Sequence, residues 1–304
     1  MNLKSTYSTA FGFLAIVLVA SGCGSSTTPD EAQPTSDGAF PRTITSGTND
    51  ITLDARPESI VSLSPTATET LFAVGAGEQV VAVDSQSDYP TDAPKTDLSA
   101  YTPSLEAIIG YQPDLVIASD DIDGLVAGLD AADVPVLLLP AATSIDDAYS
   151  QIETVADATG HDAEGKNVVA DMRTRIDAAV ASVPERELTY FHELDSMLYT
   201  VTSESFVGQM YGLFGLTSIA DGAGSDYPQM SDEGIVTADP DLVFLADSQC
   251  CGVTAESVSA RPGWHAITAV RDGQVFVVDE DLSSRWGPRV ADQVEAIAEK
   301  LGQA

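Results

Sequence analysis

The chain has 304 residues, with 47 acidic against 13 basic side chains and a formal net charge of −34 at pH 7. This length exceeds that of an average single domain and suits two domains. An acidic surface of this kind is repelled by nucleic acids and by anionic membranes. The composition therefore excludes nucleic acid as a partner and argues against direct binding to a charged membrane surface.

Residues 1–22 have the pattern of a signal peptide. The apolar run from Phe11 to Ala20 is too short to serve as a stable membrane span. The following Ala20-Ser21-Gly22-Cys23 resembles a bacterial lipobox, although Ala20 stands where leucine is usual. In that interpretation Cys23 is acylated and begins the mature protein, so that lipid is the only membrane attachment. The alternative is an ordinary signal peptide followed by an incidental cysteine.

The next segment, residues 23–40, is rich in Ser, Thr, Pro and Asp and predicts a flexible tether. Residues 41–143 then read as a first lobe, which begins with a hairpin over Thr43 to Leu53 that turns at Gly47 and Asn49-Asp50. Strands alternate with helices from there on, which predicts a parallel sheet covered on both faces. The predicted strands are Ser59–Leu63, Val80–Val83, Asp114–Ala118 and Pro135–Leu139, with helices opening at Ser64-Pro65 and spanning Leu125–Ala132.

Residues 144–184 predict a helical linker. A first helix covers Ile145 to Thr159, and a second covers Ala163 to Val183 with Asp162 as its N-cap. Apolar residues of the second helix recur at steps of three and four, which places them on one face. Its length corresponds to roughly 30 Å, so it is either an ordinary surface helix or a rigid spacer between two lobes. The apolar positions are Val169, Met172, Ile176, Val180 and Val183.

Residues 185–304 repeat the alternation and predict a second lobe. The predicted elements are a strand over Glu187–His192, a helix over Phe206–Leu213, strands over Leu242–Ala246 and Gln274–Val278, and a closing helix over Arg289–Leu301. The fold class expected is therefore α/β, with two Rossmann-like lobes joined by a single long backbone helix.

An internal repeat supports two similar lobes. The stretch Ser104 to Ile117 aligns without a gap with Ser231 to Phe244, and the two share Ser, Glu, Ile, Pro, Asp, Leu and Val. In each copy Ser caps a short helix, Glu lies in the first turn, and Pro-Asp leads into a buried strand.

These motifs together resemble the class III substrate-binding proteins of ABC importers, which capture cobalamin and iron–siderophore complexes. The motifs that carry the resemblance are Ile60-Val-Ser-Leu-Ser-Pro-Thr-Ala-Thr-Glu69, Ser87-Asp-Tyr-Pro90, Ser104-Leu-Glu106, Pro113-Asp-Leu-Val-Ile117, Pro228-Gln-Met-Ser-Asp-Glu233 and Gly287-Pro-Arg289. The resemblance implies a non-catalytic, monomeric receptor that needs no cofactor and binds a metal chelate between its lobes. The Ser-Asp-Tyr-Pro and Pro-Gln-x-Ser motifs favour cobalamin, with a ferric siderophore or haem as the alternative.

A cleft for a large planar chelate needs aromatic faces and a few polar anchors. We expect contacts from residues in loops that follow the strands, each Tyr having packing inside a lobe as its alternative: Tyr89, Tyr101, Asp120, Tyr199, Tyr227, Arg285 and Trp286. Arg285 could pair with a carboxylate or phosphate of the ligand. His192 ends a predicted strand, so it is either a further contact or a hydrogen-bonded structural residue.

Three further features of the sequence each allow more than one interpretation. Cys250 and Cys251 form either a vicinal disulfide at the cleft or two free thiols in a loop. The run Ser119 to Asp130 partly matches a calcium loop, but its first position is Ser and its twelfth is Asp instead of Glu, and no metal site is expected. His192, Glu193 and the cysteine pair leave open an extracytoplasmic enzyme or redox protein.

Glu106 and Glu233 are placed by the repeat in equivalent first turns. They are either simple helix stabilisers or, as the resemblance implies, the carboxylates that dock the two lobes on basic residues of the ABC permease subunits.

Overall fold

The computed structural model describes residues 39–45 and 50–303. The predicted signal peptide, Cys23, nearly all of the tether, and the hairpin turn at Gly47 and Asn49 lie outside these residues. In the described part of the chain, no helix combines the length and the apolar character needed to cross a membrane.

A short antiparallel hairpin opens the described chain. Strand β1 (Arg42–Thr45) pairs with β2 (Asp50–Leu53), as the sequence predicts. Arg42 fastens this hairpin to the linker helices, because its guanidinium donates to the carboxylates of Asp157 and Asp162. Only 13% of the Arg42 side chain is exposed, so the hairpin is held by a partly buried ion pair.

The first lobe is a parallel sheet in the order β4-β3-β5-β6. Its strands are β3 (Ile60–Leu63), β4 (Val80–Val83), β5 (Leu115–Ala118) and β6 (Val136–Leu138). Its helices are α1 (Pro65–Ala73), α2 (Leu105–Ile109) and α3 (Leu125–Asp130). All residues of β3 and β5 are buried, which explains their continuous apolar runs.

Two helices link the lobes. Helix α4 (Ile145–Thr159) ends at Gly160, whose φ of 75° lies in the left-handed region that glycine tolerates. Helix α5 (Asp162–Ser182) confirms the predicted long helix. Asp162 is not its N-cap, contrary to the prediction, because the helix begins at that residue and its carboxylate accepts hydrogen bonds from Arg42.

Helices α4 and α5 run closely together near this corner. A Cβ atom added at Gly165 of α5 would collide with the side chain of Ala156 in α4. The apolar face of α5 is buried as predicted at Val169, Met172 and Ile176. Helix α5 is therefore packed along one face while most of its other residues are exposed, which both interpretations of the helix allow.

The second lobe repeats the sheet order of the first as β8-β7-β9-β10. Its strands are β7 (Thr189–Glu193), β8 (Thr217–Ser218), β9 (Leu242–Leu245) and β10 (Val275–Val277). Its helices are α6 (Phe206–Gly212), α7 (Asp232–Ala238), α8 (Ser248–Cys251), α9 (Ala255–Ser259), α10 (Thr268–Arg271) and α11 (Val290–Leu301). Helix α11 is tied to α5 through Arg175, which bonds to Asp292 and Glu295.

The internal repeat is visible in the contacts of equivalent residues. The Oδ2 atom of Asp114 accepts from the backbone N–H of Ser59 at 3.1 Å, and that of Asp241 accepts from Thr189 at 2.8 Å. Each aspartate thus ties the strand it begins to the start of the neighbouring strand. Ser104 and Ser231 both accept from the third backbone N–H of their helices, as predicted for N-caps.

Candidate functional site

A cavity of about 270 Å³ lies at the carboxyl ends of the first-lobe strands. One wall follows β3, β4 and β5, and the other is the segment of residues 281–286 that leads into α11. Ligands of open parallel sheets bind at this edge, because the loops there are free to vary while the strands stay fixed. The polar and aromatic lining residues are Ser64, Thr66, Asp84, Gln86, Tyr101, Ser119, Asp120, Asp281, Ser284, Arg285 and Trp286.

Hydroxyl groups form part of the first-lobe wall. The Ser119 hydroxyl donates to that of Ser64 at 2.8 Å, and Ser64 also caps α1. Asp84 is almost completely buried and accepts from the Ser87 hydroxyl. Burial raises the pKa of the Asp84 carboxyl, an effect that the Ser87 hydrogen bonds partly offset. This part of the wall can therefore offer hydrogen bonds from hydroxyl groups, with the Asp84 carboxylate itself shielded from water.

Arg285 is held by a cluster of carboxylates. Its guanidinium donates to Glu69 at 2.7 Å, to Asp281 at 2.7 Å and to Asp88 at 3.0 Å, and only 8% of its side chain is exposed. Arg289 binds the same Glu69 carboxylate. Arg285 lines the cavity, but its donors are already taken by carboxylates of the protein.

Glu69 was part of a sequence motif without an assigned role. It lies in α1, is 2% exposed, and joins two arginines that are more than 200 positions away along the chain. We call Glu69, Arg285 and Arg289 the interlobe clamp, since it fastens the first lobe to the segment entering α11. The sequence signal that could have revealed it is a charged residue amid the buried positions of a short helix.

Trp286 and Tyr101 are the aromatic lining residues. The Trp286 indole N–H donates to the side-chain oxygen of Gln151 in α4 at 3.0 Å, which fixes the ring beside the cavity. Tyr101 is 74% exposed, an unusual state for a large aromatic side chain. Asp120 is the fourth of the proposed ligand contacts that line the cavity, after Tyr101, Arg285 and Trp286.

The other predicted tyrosines do not line this cavity. Tyr89 stacks against Arg289, with the guanidinium carbon 4.2 Å from the ring centroid. Tyr199 belongs to the second lobe, where it forms an isolated bridge with Gln229. Tyr227 lies in the same lobe and is 46% exposed. These residues remain proposed contacts for a ligand that extends beyond the cavity.

The expectation that His192 faces the cleft is wrong. Its side chain is completely buried in the second lobe, and its Nδ1 atom lies 2.8 Å from the Tyr211 hydroxyl. Burial lowers the pKa of His192 to about 3, so the ring is neutral. Strand β7 continues to Glu193, one residue beyond the predicted end, so His192 lies inside the sheet, where its side chain packs toward α6.

The second lobe contains two neighbouring carboxylates that are both fully buried, Glu193 and Asp247. Glu193 forms a bidentate pair with Arg261, at 2.6 and 2.7 Å. Asp247 is also fully buried, and neither of its carboxylate oxygens has a hydrogen-bond partner. Burial, followed by the nearby Glu193 charge, raises the pKa of Asp247 to about 7.

Cys250 and Cys251 are paired as a vicinal disulfide in the structure, at exposed positions that end α8. The Ser119 to Asp130 run is arranged differently from a metal site, since the Asp121 carboxylate accepts from the backbone N–H of Val126. Among the described residues, no group of three candidate side chains is arranged to hold a metal ion.

Glu106 and Glu233 are both exposed on the first turns of α2 and α7. Within the described part of the chain, neither carboxylate takes part in an ion pair. Each lobe therefore presents one carboxylate at the same position of its repeat.

The chain is similar to known proteins over most of its length. The family model for periplasmic binding protein matches residues 60–282. An uncharacterised ABC transporter substrate-binding lipoprotein of Bacillus subtilis is 32% identical over 304 aligned positions, covering 95% of this chain and 94% of the relative. A cobalamin-binding protein of Halobacterium salinarum is also 32% identical, over 94% of this chain and 81% of that protein.

A solved structure shares the fold. The periplasmic haem-binding protein RhuT of Roseiflexus, in apo form, superposes with a TM-score of 0.70 at 26% identity, covering 81% of this chain and 98% of that one. The predicted α/β fold of two lobes is confirmed by this likeness together with the two parallel sheets described above. The chain belongs to the periplasmic binding protein family.

Proposed function

We propose that this protein captures cobalamin between its lobes and delivers it to the permease of an ABC importer, without catalysing a reaction. The observation that carries the choice of ligand is the charge of the cavity wall. Its ionisable lining residues are Asp84, Asp120, Asp281 and Arg285, and the single cation among them is bound by carboxylates of the protein.

This charge pattern suits a ligand whose periphery is neutral. The corrin ring of cobalamin carries amide side chains, which hydrogen-bond to hydroxyl and carboxylate groups such as those of Ser119 and Asp120. Haem carries carboxylates, and catecholate siderophore complexes are anionic. Such ligands need free cations, since an unpaired charge is costly to remove from water. The cavity wall offers them carboxylates instead.

The cavity volume supports a ligand that is only partly enclosed. About 270 Å³ lies below the roughly 300–1,000 Å³ of sites that enclose a drug-sized molecule. The rest of a corrinoid would extend toward the second lobe, where Tyr199 and Tyr227 are available as aromatic surfaces. Tyr101 and Trp286 would contact the part inside the cavity.

Titration of the purified protein tests the ligand. The chain has two tryptophans, and Trp264 is fully buried. A Trp264→Phe variant leaves Trp286 as the single tryptophan, so that its fluorescence reports on the cavity. We expect saturable, stoichiometric quenching by cyanocobalamin, with no turnover of the ligand. A Trp286→Phe variant provides the control for inner-filter effects. Saturation by haem or a ferric siderophore, with no response to cyanocobalamin, would replace cobalamin as the ligand.

The proposal includes attachment to the outer face of the cell membrane by lipid on Cys23. The support is the lipobox-like sequence Ala20 to Cys23. A Cys23→Ala variant expressed in a bacterial host should be recovered unacylated, whereas the parent carries the mass of the lipid. An unmodified Cys23 in the parent protein would show an ordinary signal peptide instead.

Docking on the permease is proposed for Glu106 and Glu233. Equivalent carboxylates on two similar lobes suit a two-fold permease that presents two equivalent basic patches. The double variant Glu106→Ala, Glu233→Ala should keep ligand affinity and stability but lose transport. Full uptake by the double variant would limit both residues to helix stabilisation, which contributes less than about 1 kcal/mol each.

A further inference from the structure

We propose that the vicinal disulfide Cys250–Cys251 is a redox modification site and that its reduction loosens the cavity wall that carries Asp281 and Arg285. The proposal concerns the cavity wall itself, and it rests on the proposed function only where ligand affinity is measured. Its basis is the position of the disulfide and a chain of hydrogen bonds that leads from it to the cavity.

The disulfide is accessible and lies in a helix of a single turn. Cys250 and Cys251 are both exposed, so a reductant can reach them. Helix α8 has four residues and no side-chain N-cap. A helix of one turn does not sustain itself, because its hydrogen bonds do not offset the backbone entropy lost in forming it. The covalent ring that closes over the Cys250–Cys251 peptide restricts this turn, and opening the ring restores its torsional freedom.

Helix α8 is bonded to the segment that precedes the cavity wall. The backbone N–H of Cys250 donates to the Glu280 carboxylate at 2.7 Å. The Gln249 side chain donates to Asp279 at 3.3 Å and accepts from the backbone N–H of Glu280 at 3.4 Å. Residues 279–280 are thus held on α8 by three hydrogen bonds.

The same segment positions the cavity residues. Asp279 accepts from the backbone N–H of Leu282 at 3.0 Å, and Asp281 accepts from Arg285 at 2.7 Å. Arg285 and Asp281 line the cavity, and Arg285 belongs to the interlobe clamp. Loss of the α8 contacts therefore removes one of the supports of the wall, while the clamp itself stays in place.

The reaction is a two-electron thiol–disulfide exchange with an extracytoplasmic dithiol. One thiolate of the dithiol attacks a sulfur of the Cys250–Cys251 bond, which breaks as a mixed disulfide forms. The second thiolate of the dithiol then attacks the mixed disulfide and releases the protein. The reductant leaves as its own disulfide, and Cys250 and Cys251 each end as a thiol that has taken up one proton.

Hydrogen exchange of the full chain, followed by mass spectrometry, tests the inference without any ligand. The protein is compared as purified and after reduction with tris(2-carboxyethyl)phosphine. We expect amides of residues 248–252 and 279–284 to exchange about tenfold faster after reduction, as in locally opened segments. Residues 145–159 of α4 should be unchanged. Two alkylatable thiols in the purified protein, or an unchanged wall after reduction, would overturn the proposal.

Two variants test whether reduction loosens the cavity wall through the hydrogen bond between Cys250 and Glu280. Cys251→Ser should exchange like the reduced protein. Glu280→Gln keeps the disulfide but weakens the contact with Cys250, so its wall should already exchange faster and respond little to reduction. If reduction loosens the wall of Glu280→Gln as strongly as that of the parent, the proposed route is wrong.

Ligand titration then joins the inference to function. Reduction should weaken the affinity for cyanocobalamin by a factor within the ~5 to 150-fold range of coupled sites. Faster exchange of the wall without any binding of cyanocobalamin would leave the inference standing and reject the proposed ligand. Cyanocobalamin binding that is equally tight before and after reduction, in a protein whose wall does loosen, would reject the coupling to the cavity.

Discussion

The two lobes carry an aspartate at the same place and use it in opposite ways. The gapless repeat that aligns Asp114 with Asp241 also aligns Asp120 with Asp247. Asp120 is exposed and lines the cavity, whereas Asp247 is fully buried and its carboxylate oxygens have no partner. Sequence position in the repeat therefore fixes where the residue lies on the sheet, but the neighbouring elements decide whether water reaches it.

The contrast extends beyond one pair of residues. Among the described residues, the buried side-chain atoms that lack a hydrogen-bond partner all belong to the second lobe. They are atoms of Tyr190, His192, Thr200, Asp247, Gln274 and Gln293. The first lobe instead pairs its buried polar groups, as in the hydroxyl chain of Ser62, Thr68 and Ser87. Of these residues, His192 and Asp247 carry shifted pKa values, so we expect both to contribute to the pH dependence of stability.

The largest expected effect comes from removing the interlobe clamp, which holds the two regions together. Glu69→Ala leaves two arginines without their buried partner, and breaking a buried ion pair in this way costs about 3–5 kcal/mol of unfolding free energy. Urea unfolding measures the loss. Glu78→Ala, at an exposed position, is the control and should change stability little. A loss below about 1 kcal/mol for Glu69→Ala would show that water replaces the clamp.

The next effect compares the equivalent aspartates directly. The folded-state pKa of Asp247 is about 7 against 3.8 for an ordinary Asp, so the stability it confers is complete below pH 3.8 and lost as pH rises through 7. Asp247→Asn should therefore be more stable than the parent at pH 8, by about 2 kcal/mol, and should lose this advantage near pH 4.

The matched variant Asp120→Asn should stay within about 0.5 kcal/mol of the parent at both pH values, because the residue is exposed. Its effect should fall on ligand affinity instead. Urea midpoints at the two pH values measure both variants. Equal pH profiles for Asp120→Asn and Asp247→Asn would remove the distinction between the lobes.

His192 gives the opposite slope in the same lobe. Its pKa is about 3 when folded against 6.5 for an ordinary His, so the unfolded chain binds a proton that the folded chain excludes. Stability should fall as pH decreases from 6.5 toward 3, by about 1.4 kcal/mol per pH unit. Thermal unfolding of His192→Gln should show a flatter acid limb than the parent, while His265→Gln, at an exposed position, should keep it. An unchanged limb in His192→Gln would place the acid sensitivity elsewhere.

The smallest effect concerns what the lobes share. Ser104 and Ser231 cap equivalent helices through the same backbone contact, at 3.4 and 3.1 Å. Ser104→Ala and Ser231→Ala should each cost about 1 kcal/mol, the usual value for an N-cap serine. Guanidinium unfolding compares the two. A difference of more than about 1 kcal/mol between them would show that the repeat is conserved in shape but not in energetics.

Sequence reasoning found the elements because their signals are local. Helix α4 matches its prediction at both ends, since Ser144 and Gly160 mark them, and β4 matches because its apolar run is short and bounded. The strand ends were less certain. Strand β7 includes Glu193, one residue more than predicted. His192 therefore lies inside the strand and is buried in the core, whereas the prediction put it at the strand end facing the cleft.

The long-range contacts could not be predicted in the same way. Nothing near Glu69 in the sequence indicates that Arg285 and Arg289 will meet it, because their pairing depends on how α11 packs against α5. For the same reason Arg285 was expected to be available to a ligand. Of the residues proposed from the sequence as ligand contacts, Tyr101, Asp120 and Trp286 line the cavity, whereas Tyr89 stacks on Arg289. The sequence did not separate these two cases.

The close contact of Gly165 with Ala156 sets the spacing between α4 and α5. The contact lies within the first turn of a helix of 21 residues, which is roughly 30 Å long. A methyl group at Gly165 would collide with the Ala156 side chain, so the two helices would have to separate at this end. Gly165→Ala is thus a way to alter the packing of the helices between the lobes from outside the cavity, with every residue that lines it left unchanged.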